Sequence, residues 1–148
     1  MHSNKIEQVH AIDFILAGNS TFTLKSVKSG NWFTYKAEVK EMFGEKKVII
    51  RLLSGSDNVH AYTYLCTIKM VSGIPQIFRE NSKISATAMS FMAFDMVFYK
   101  LLLKQWIEGL EIWHEGRCGR CGRKLTVPES IETGYGPECA GRVKMFEL

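Results

Sequence analysis

Thr21-Phe22-Thr23-Leu24-Lys25, Ser29-Gly30-Asn31 and Phe33-Thr34-Tyr35-Lys36-Ala37-Glu38-Val39 decide how this chain folds. In the first and third of these stretches apolar and polar side chains alternate. That is the two-residue repeat of a strand with one buried face. The glycine-containing turn between them joins the two as a hairpin. Residues 48–53 read as a third, more deeply buried strand, and Ser54-Gly55-Ser56-Asp57-Asn58 as the loop after it. A fourth strand carries Tyr62, Tyr64, Cys66 and Ile68 on one face, and Ile77-Phe78 marks a short fifth.

Two helices flank these strands. Residues 6–17 place Ile6, Val9, Ile12, Phe14 and Ile15 near helical spacing, with Gly18 as a stop. Residues 85–109 form the most apolar element. Met89, Phe91, Met92, Phe94, Met96, Phe98, Leu101, Leu102, Leu103, Trp106 and Ile107 leave only a narrow polar strip. A helix apolar almost all round is buried on several sides. The expected class is therefore α+β: an antiparallel sheet of four to five strands packed on a long buried helix.

At 148 residues the chain suits one core rather than two, and 46% apolar with 23% charged residues is ordinary for a soluble globular protein. The residues at the start lack the charged-then-apolar pattern of a secretion signal, and no uncharged run is long enough to span a bilayer. A formal charge of +4 permits contact with nucleic acid without requiring it. Three of the four cysteines crowd the C-terminal part, and Cys66 stands alone among strand-like residues. In a reducing cytosol that placement points to metal binding rather than disulfides.

The C-terminal segment is the most specific. His114-Glu115-Gly116-Arg117-Cys118-Gly119-Arg120-Cys121-Gly122 leads on to Gly134-Tyr135-Gly136-Pro137-Glu138-Cys139. Two residues between Cys118 and Cys121 let one tight turn present both sulfurs to a metal. Arg117, Arg120, Arg123 and Lys124 around that turn favour thiolates. Thr126 and Glu129 have capping-box spacing, predicting a helical turn over 127–133, and Pro137 suits the first position of a last helix. Cys139 would then sit at a helix start, where the dipole stabilises a thiolate.

This arrangement is treble-clef-like, but the usual second helix-borne ligand falls at Arg142, which cannot ligate. His114 is the expected fourth ligand beside Cys118, Cys121 and Cys139, with Cys66 as the rival. One zinc ion closed by four protein ligands has no position for a reactive water and serves structure only. A thioredoxin-type pair needs a βαβ setting that is absent, and the deaminase His-x-Glu spacing does not occur. The expected division is a body over 1–112 and a zinc module over 113–148 packed on it.

The run from Trp113 to Gly141, WHEGRCGRCGRKLTVPESIETGYGPECAG, resembles a zinc-binding domain of unknown function found at the C-terminus of small bacteriophage and prophage proteins. Residues 13–24 and 57–65 look, more loosely, like the N-terminal region that accompanies it. The resemblance implies that His114, Cys118, Cys121 and Cys139 are the ligands. It also implies a phage or mobile-element protein in a bacterial cytoplasm, and no established activity.

Tyr62, Tyr64, Trp32, Phe33 and Tyr35 fit either a base-stacking sheet face or, as the pattern favours, the core face beneath a helix. Trp32 stands on the opposite face from Phe33 and Tyr35. The Asp57-Asn58-His60 loop reads as a turn, and Glu115 and Glu138 as solvated neighbours of the ligands. No phosphate-binding glycine loop, carboxylate pair or nucleophile triad is present. The leading expectation is a non-enzymatic binding protein that contacts nucleic acid through Arg117, Arg120, Arg123, Lys124, Arg142 and Lys144. The alternatives are a protein-binding inhibitor of a host defence system, with a host or phage protein as partner, and a metal-dependent enzyme acting on nucleic acid or nucleotide.

Overall fold

The structure, a computed structural model, describes residues 4–55, 61–122 and 134–135. The expected turn over 127–133, the helix after Pro137, Glu138 and the Asp57-Asn58-His60 loop fall outside them.

The class is α+β, but the described residues build seven strands where four to five were expected. The hairpin strands β2 (Asn19–Ser26) and β3 (Trp32–Met42) pair as read, followed by β4 (Glu45–Leu53), β5 (Tyr62–Val71) and β6 (Ile74–Phe78) in an antiparallel meander. The two unforeseen strands lie on the other side of β2. β7 (Leu110–His114) pairs with β2, and β1 (Lys5–Ile6) pairs with β7, giving the order β1-β7-β2-β3-β4-β5-β6.

Ile6, read as the start of a helix, is thus a strand residue. The helix α1 (Gln8–Ile15) begins two residues later. The second helix α2 (Met89–Leu102) is also shorter than expected. Beyond it, Lys104 and Gly109 take positive φ (60° and 75°) and turn the chain into β7. Nor is α2 wrapped on several sides. Phe91, Phe94, Val97, Phe98 and Leu101 are buried on one flank, while Met89, Met92 and Met96 are exposed. Counting those methionines as core overstated the burial of this element, and carrying its apolar pattern on through Leu103, Trp106 and Ile107 overstated its length.

The core lies between the helices and one sheet face. Phe22, Tyr35, Phe94 and Phe98 form a chain of ring contacts with centroids 5.3–6.3 Å apart. The Tyr35 hydroxyl donates to Ser90 O at 2.6 Å, and burial pushes its ionisation far up. Gln8 ties α1 to the approach to β7. Its Nε2 donates to Ile107 O (2.8 Å) and Leu110 O (3.2 Å), and Ile107 N donates to its Oε1 (2.9 Å). Buried polar groups left without partners cost about 1–3 kcal/mol each. Gln8→Ala is therefore expected to destabilise by roughly 2–3 kcal/mol in denaturant titration. A loss below about 0.5 kcal/mol would show that water replaces the amide.

Where β4 meets β5 the register shifts between Ile50 and Arg51. Ile50 pairs with Cys66 and Arg51 with Tyr64, leaving Leu65 as the extra residue of a bulge. The bulge reverses the alternation. Cys66 and Ile68 face the core, whereas Tyr62 and Tyr64 face the opposite side, against the expectation that all four share a face. Burial, with Asp95 adding to it and Arg79 opposing, pushes the Cys66 thiol up to about 12. Its stabilising contribution is whole below pH about 9 and is lost as the pH rises toward 12. Cys66 is expected to resist alkylation at pH 8 in the native protein and to react on unfolding, a contrast read by mass-resolved iodoacetamide labelling.

Candidate metal centre and the open face of the sheet

His114 ends β7 on the core face, 3% exposed, with its ring 6.0 Å from that of Phe14. Its backbone N–H donates to Asn4 O at 2.9 Å. Four residues on, the Cys118 thiol is fully buried, and Arg120 N donates to its Sγ at 3.4 Å. Gly122 N closes the turn by donating to Cys118 O at 2.8 Å, with Gly122 at φ +80°. A backbone N–H aimed at sulfur favours the thiolate and is what a metal-binding knuckle provides. Cys121, on the same turn, is exposed. Among the described residues the turn thus offers two thiols, one buried and one exposed, as candidate donors.

At His114 ligation carries a condition. Gly116 N donates to its Nδ1 at 2.9 Å, so the neutral ring bears its proton on Nε2. Coordination through Nδ1 uses the accepting lone pair, and coordination through Nε2 moves the proton to Nδ1. His114 ligates by either nitrogen only when the Gly116 bond is given up.

Cys139 lies outside the described residues, and among those described no three His, Cys, Asp or Glu side chains gather around one point. The placement of Cys66 sets it apart from this centre. It sits on β5, four strands from β7, about 19 Å across the sheet.

The knuckle is docked by α1. Asn19 N donates to Gly119 O at 2.9 Å, and Gly119 N donates to Gly134 O at 2.8 Å. Between these two glycines lies Phe14, fully buried, with the Tyr135 ring 5.6 Å away. A methyl group at Gly119 would overlap the Phe14 ring, and one at Gly134 (φ +83°) would stand 2.8 Å from its Cε2. Burial, then the charges of Asp13 and Cys118, push the Tyr135 hydroxyl far up. Sequence reasoning named Phe14 only as one apolar position of a helix. It is the residue on which the knuckle is seated, about a hundred positions away in the chain.

Of the expected nucleic-acid residues, Arg117 is exposed, 3.9 Å from Glu115, and its Nη1 donates to Gly122 O at 3.2 Å. Arg120 is half-buried. Arg123, Lys124, Arg142 and Lys144 fall outside the described residues.

The second sheet face, turned away from both helices, is where the described charge collects. Reading the register across it, Lys5, Lys25, Lys36, Lys40, Lys47, Arg51 and Lys69 outnumber Glu38, Glu45 and Glu111. Glu38 ties up Arg51 (3.0 Å), Lys40 (3.7 Å) and Lys36 (4.0 Å). Among these charges stand Tyr62, Tyr64 and Trp113, half-buried, and Trp32, 56% exposed. Phe33 and Tyr35 belong to the opposite, core face, so the aromatic group expected to act together is split between the two faces. Burial and then the Glu115 carboxylate push the Tyr62 hydroxyl upward. Glu115 follows β7, four strands from β5 in the order of the sheet.

No helix of the described residues is long and apolar enough to cross a membrane. No curated protein and no solved structure matches the chain. Residues 113–144, which hold the knuckle and its flanks, match a family of unknown function (DUF6011).

Proposed function

We propose that this chain is a non-enzymatic zinc-binding protein that acts by binding nucleic acid. The observation that carries the reading is the basic surplus on the sheet face away from the helices, with the exposed Arg117 on the knuckle as a further cation. One zinc ion held by His114, Cys118, Cys121 and Cys139 fixes the knuckle and does no chemistry. The resemblance to small phage proteins supports a phage or mobile-element accessory protein acting in a bacterial cytoplasm.

The surplus is modest, so binding should be tight only at low ionic strength and fall steeply with salt. The test is fluorescence anisotropy with a labelled oligonucleotide at two salt concentrations. Lys47→Glu with Lys69→Glu, or Arg117→Glu with Arg120→Glu, is expected to weaken low-salt binding at least tenfold and flatten the salt slope. Absence of binding by the wild-type protein at low salt sinks the reading.

A second reading has its own observation. Met89 and Met96 line an apolar cavity of about 180 Å³ between α2 and the β2–β3 hairpin. Methionine-lined surfaces adapt to partner proteins, which favours a protein-binding inhibitor. A stoichiometric partner lost on Met96→Lys would support that alternative.

A further inference from the structure

We propose that the open face is a platform for single-stranded nucleic acid, on which bases stack against Tyr62 and Tyr64 while Lys36, Lys47 and Arg51 meet the phosphates. The inference rests on the nucleic-acid reading above and adds the class of nucleic acid and the side chains that select it.

Three features of the face carry it. First, the bulge at Leu65 turns Tyr62 and Tyr64 out of the core onto one side of β5, about 7 Å apart along the strand. A strand built for the core alone would not place two large rings there. Second, the rings are met by partners that suit a stacked base. The Tyr64 hydroxyl shares a 2.6 Å hydrogen bond with the Thr67 hydroxyl, and the Lys36 ammonium stands over the Tyr62 ring, 5.8 Å from its centroid, from where it can swing to a phosphate as a base takes its place. A ring fixed at its hydroxyl end presents a π-face with little left to order when a base arrives.

Third, charge by itself is weak here. Glu38 lies within 4.0 Å of Lys36, Lys40 and Arg51, so much of the positive field is already answered. Duplex binding draws its affinity from many phosphate contacts. Stacking requires bases that are not already paired and stacked on each other, which only a single strand offers. A face with such rings and a half-neutralised basic field therefore selects single strands.

The experiment uses the full chain, a labelled 20-nucleotide oligo-dT and a labelled duplex of equal length, followed by anisotropy at low salt. Expected for the wild type is at least tenfold tighter binding of the single strand, with quenching of tyrosine and tryptophan fluorescence. Tyr62→Ala and Tyr64→Ala should each weaken single-strand binding about tenfold, and Tyr62→Phe should not. Thermal melts check that the variants fold, and the single-strand preference of the wild type stands independent of them. Equal affinity for the duplex, or indifference of folded Tyr62→Ala and Tyr64→Ala variants, overturns this inference and leaves general nucleic-acid binding intact. No binding of either oligonucleotide overturns both.

Discussion

Phe14→Ala is expected to lower the unfolding free energy by about 3–5 kcal/mol, the range for a fully buried aromatic truncated to a methyl group. The effect should exceed that of other core truncations on metal retention, because Phe14 fills the space between Gly119 and Gly134 and touches the rings of His114 and Tyr135. Urea titration gives the free energy, and competition with a chromophoric chelator gives the zinc affinity. Gly119→Ala attacks the same contact from the other side, and overpacking there should cost about 1–3 kcal/mol. Combining Gly119→Ala with Phe14→Leu should cost less than the sum, since a smaller side chain makes room for the added methyl. Strict additivity, or a loss below about 1 kcal/mol for Phe14→Ala, would mean that the knuckle is not seated on this ring.

Removing the zinc proposed for the knuckle is the second perturbation with a large expected effect. Structural zinc contributes folding free energy directly. For a chain of this size 1 kcal/mol corresponds to about 2–4 °C in Tm. Cys118→Ser, or treatment with a strong chelator, is therefore expected to reduce bound zinc to near zero and lower Tm by about 10 °C or more. Cys66→Ser, four strands away, should keep its zinc. His114→Ala should lose affinity less severely than Cys118→Ser, because the ring first surrenders the Gly116 hydrogen bond and so contributes less net free energy. Full zinc retention by His114→Ala would remove that residue from the ligand set. Retention by Cys118→Ser would remove the centre altogether.

The parts of this molecule that were legible in its sequence are those where local pattern and tertiary environment agree. The β2–β3 hairpin alternates cleanly because one face meets α2 and the other does not, so composition repeats the geometry. The tight turn at Cys118 was legible because it is local, with both of its cysteines and its glycines inside five residues. β7 was missed because five residues, Leu110–His114, lie between a helix read as ending at Gly109 and a metal motif that claimed Trp113 and His114. β1 is two residues long and exists only because β7 lies beside it. The faces of Tyr62 and Tyr64 were misassigned for a different reason. A single inserted residue inverts the parity of everything before it, and nothing in the composition of Leu65 announces that it is the extra one. The Phe14 seat was invisible because its partners are distant in sequence and two of them are glycines, whose message is carried by what they lack.

The position of β7 also orders events in time. During synthesis the meander from β2 to β6 is complete long before residues 110–114 emerge, yet the β2 edge on which they dock stays unpaired until then. Pairing between segments so far apart in the chain is slow, because the intervening loop must close before any contact rewards it. β1 emerges first and joins last, waiting for a neighbour nearly the whole chain away. Until β7 arrives, the nascent protein carries an exposed template for pairing with other chains, and a shortage of chaperone should show itself there as aggregation. The knuckle follows β7 directly, so the zinc proposed for it would be captured only after β7 has emerged and would latch a strand that is otherwise the easiest to lose.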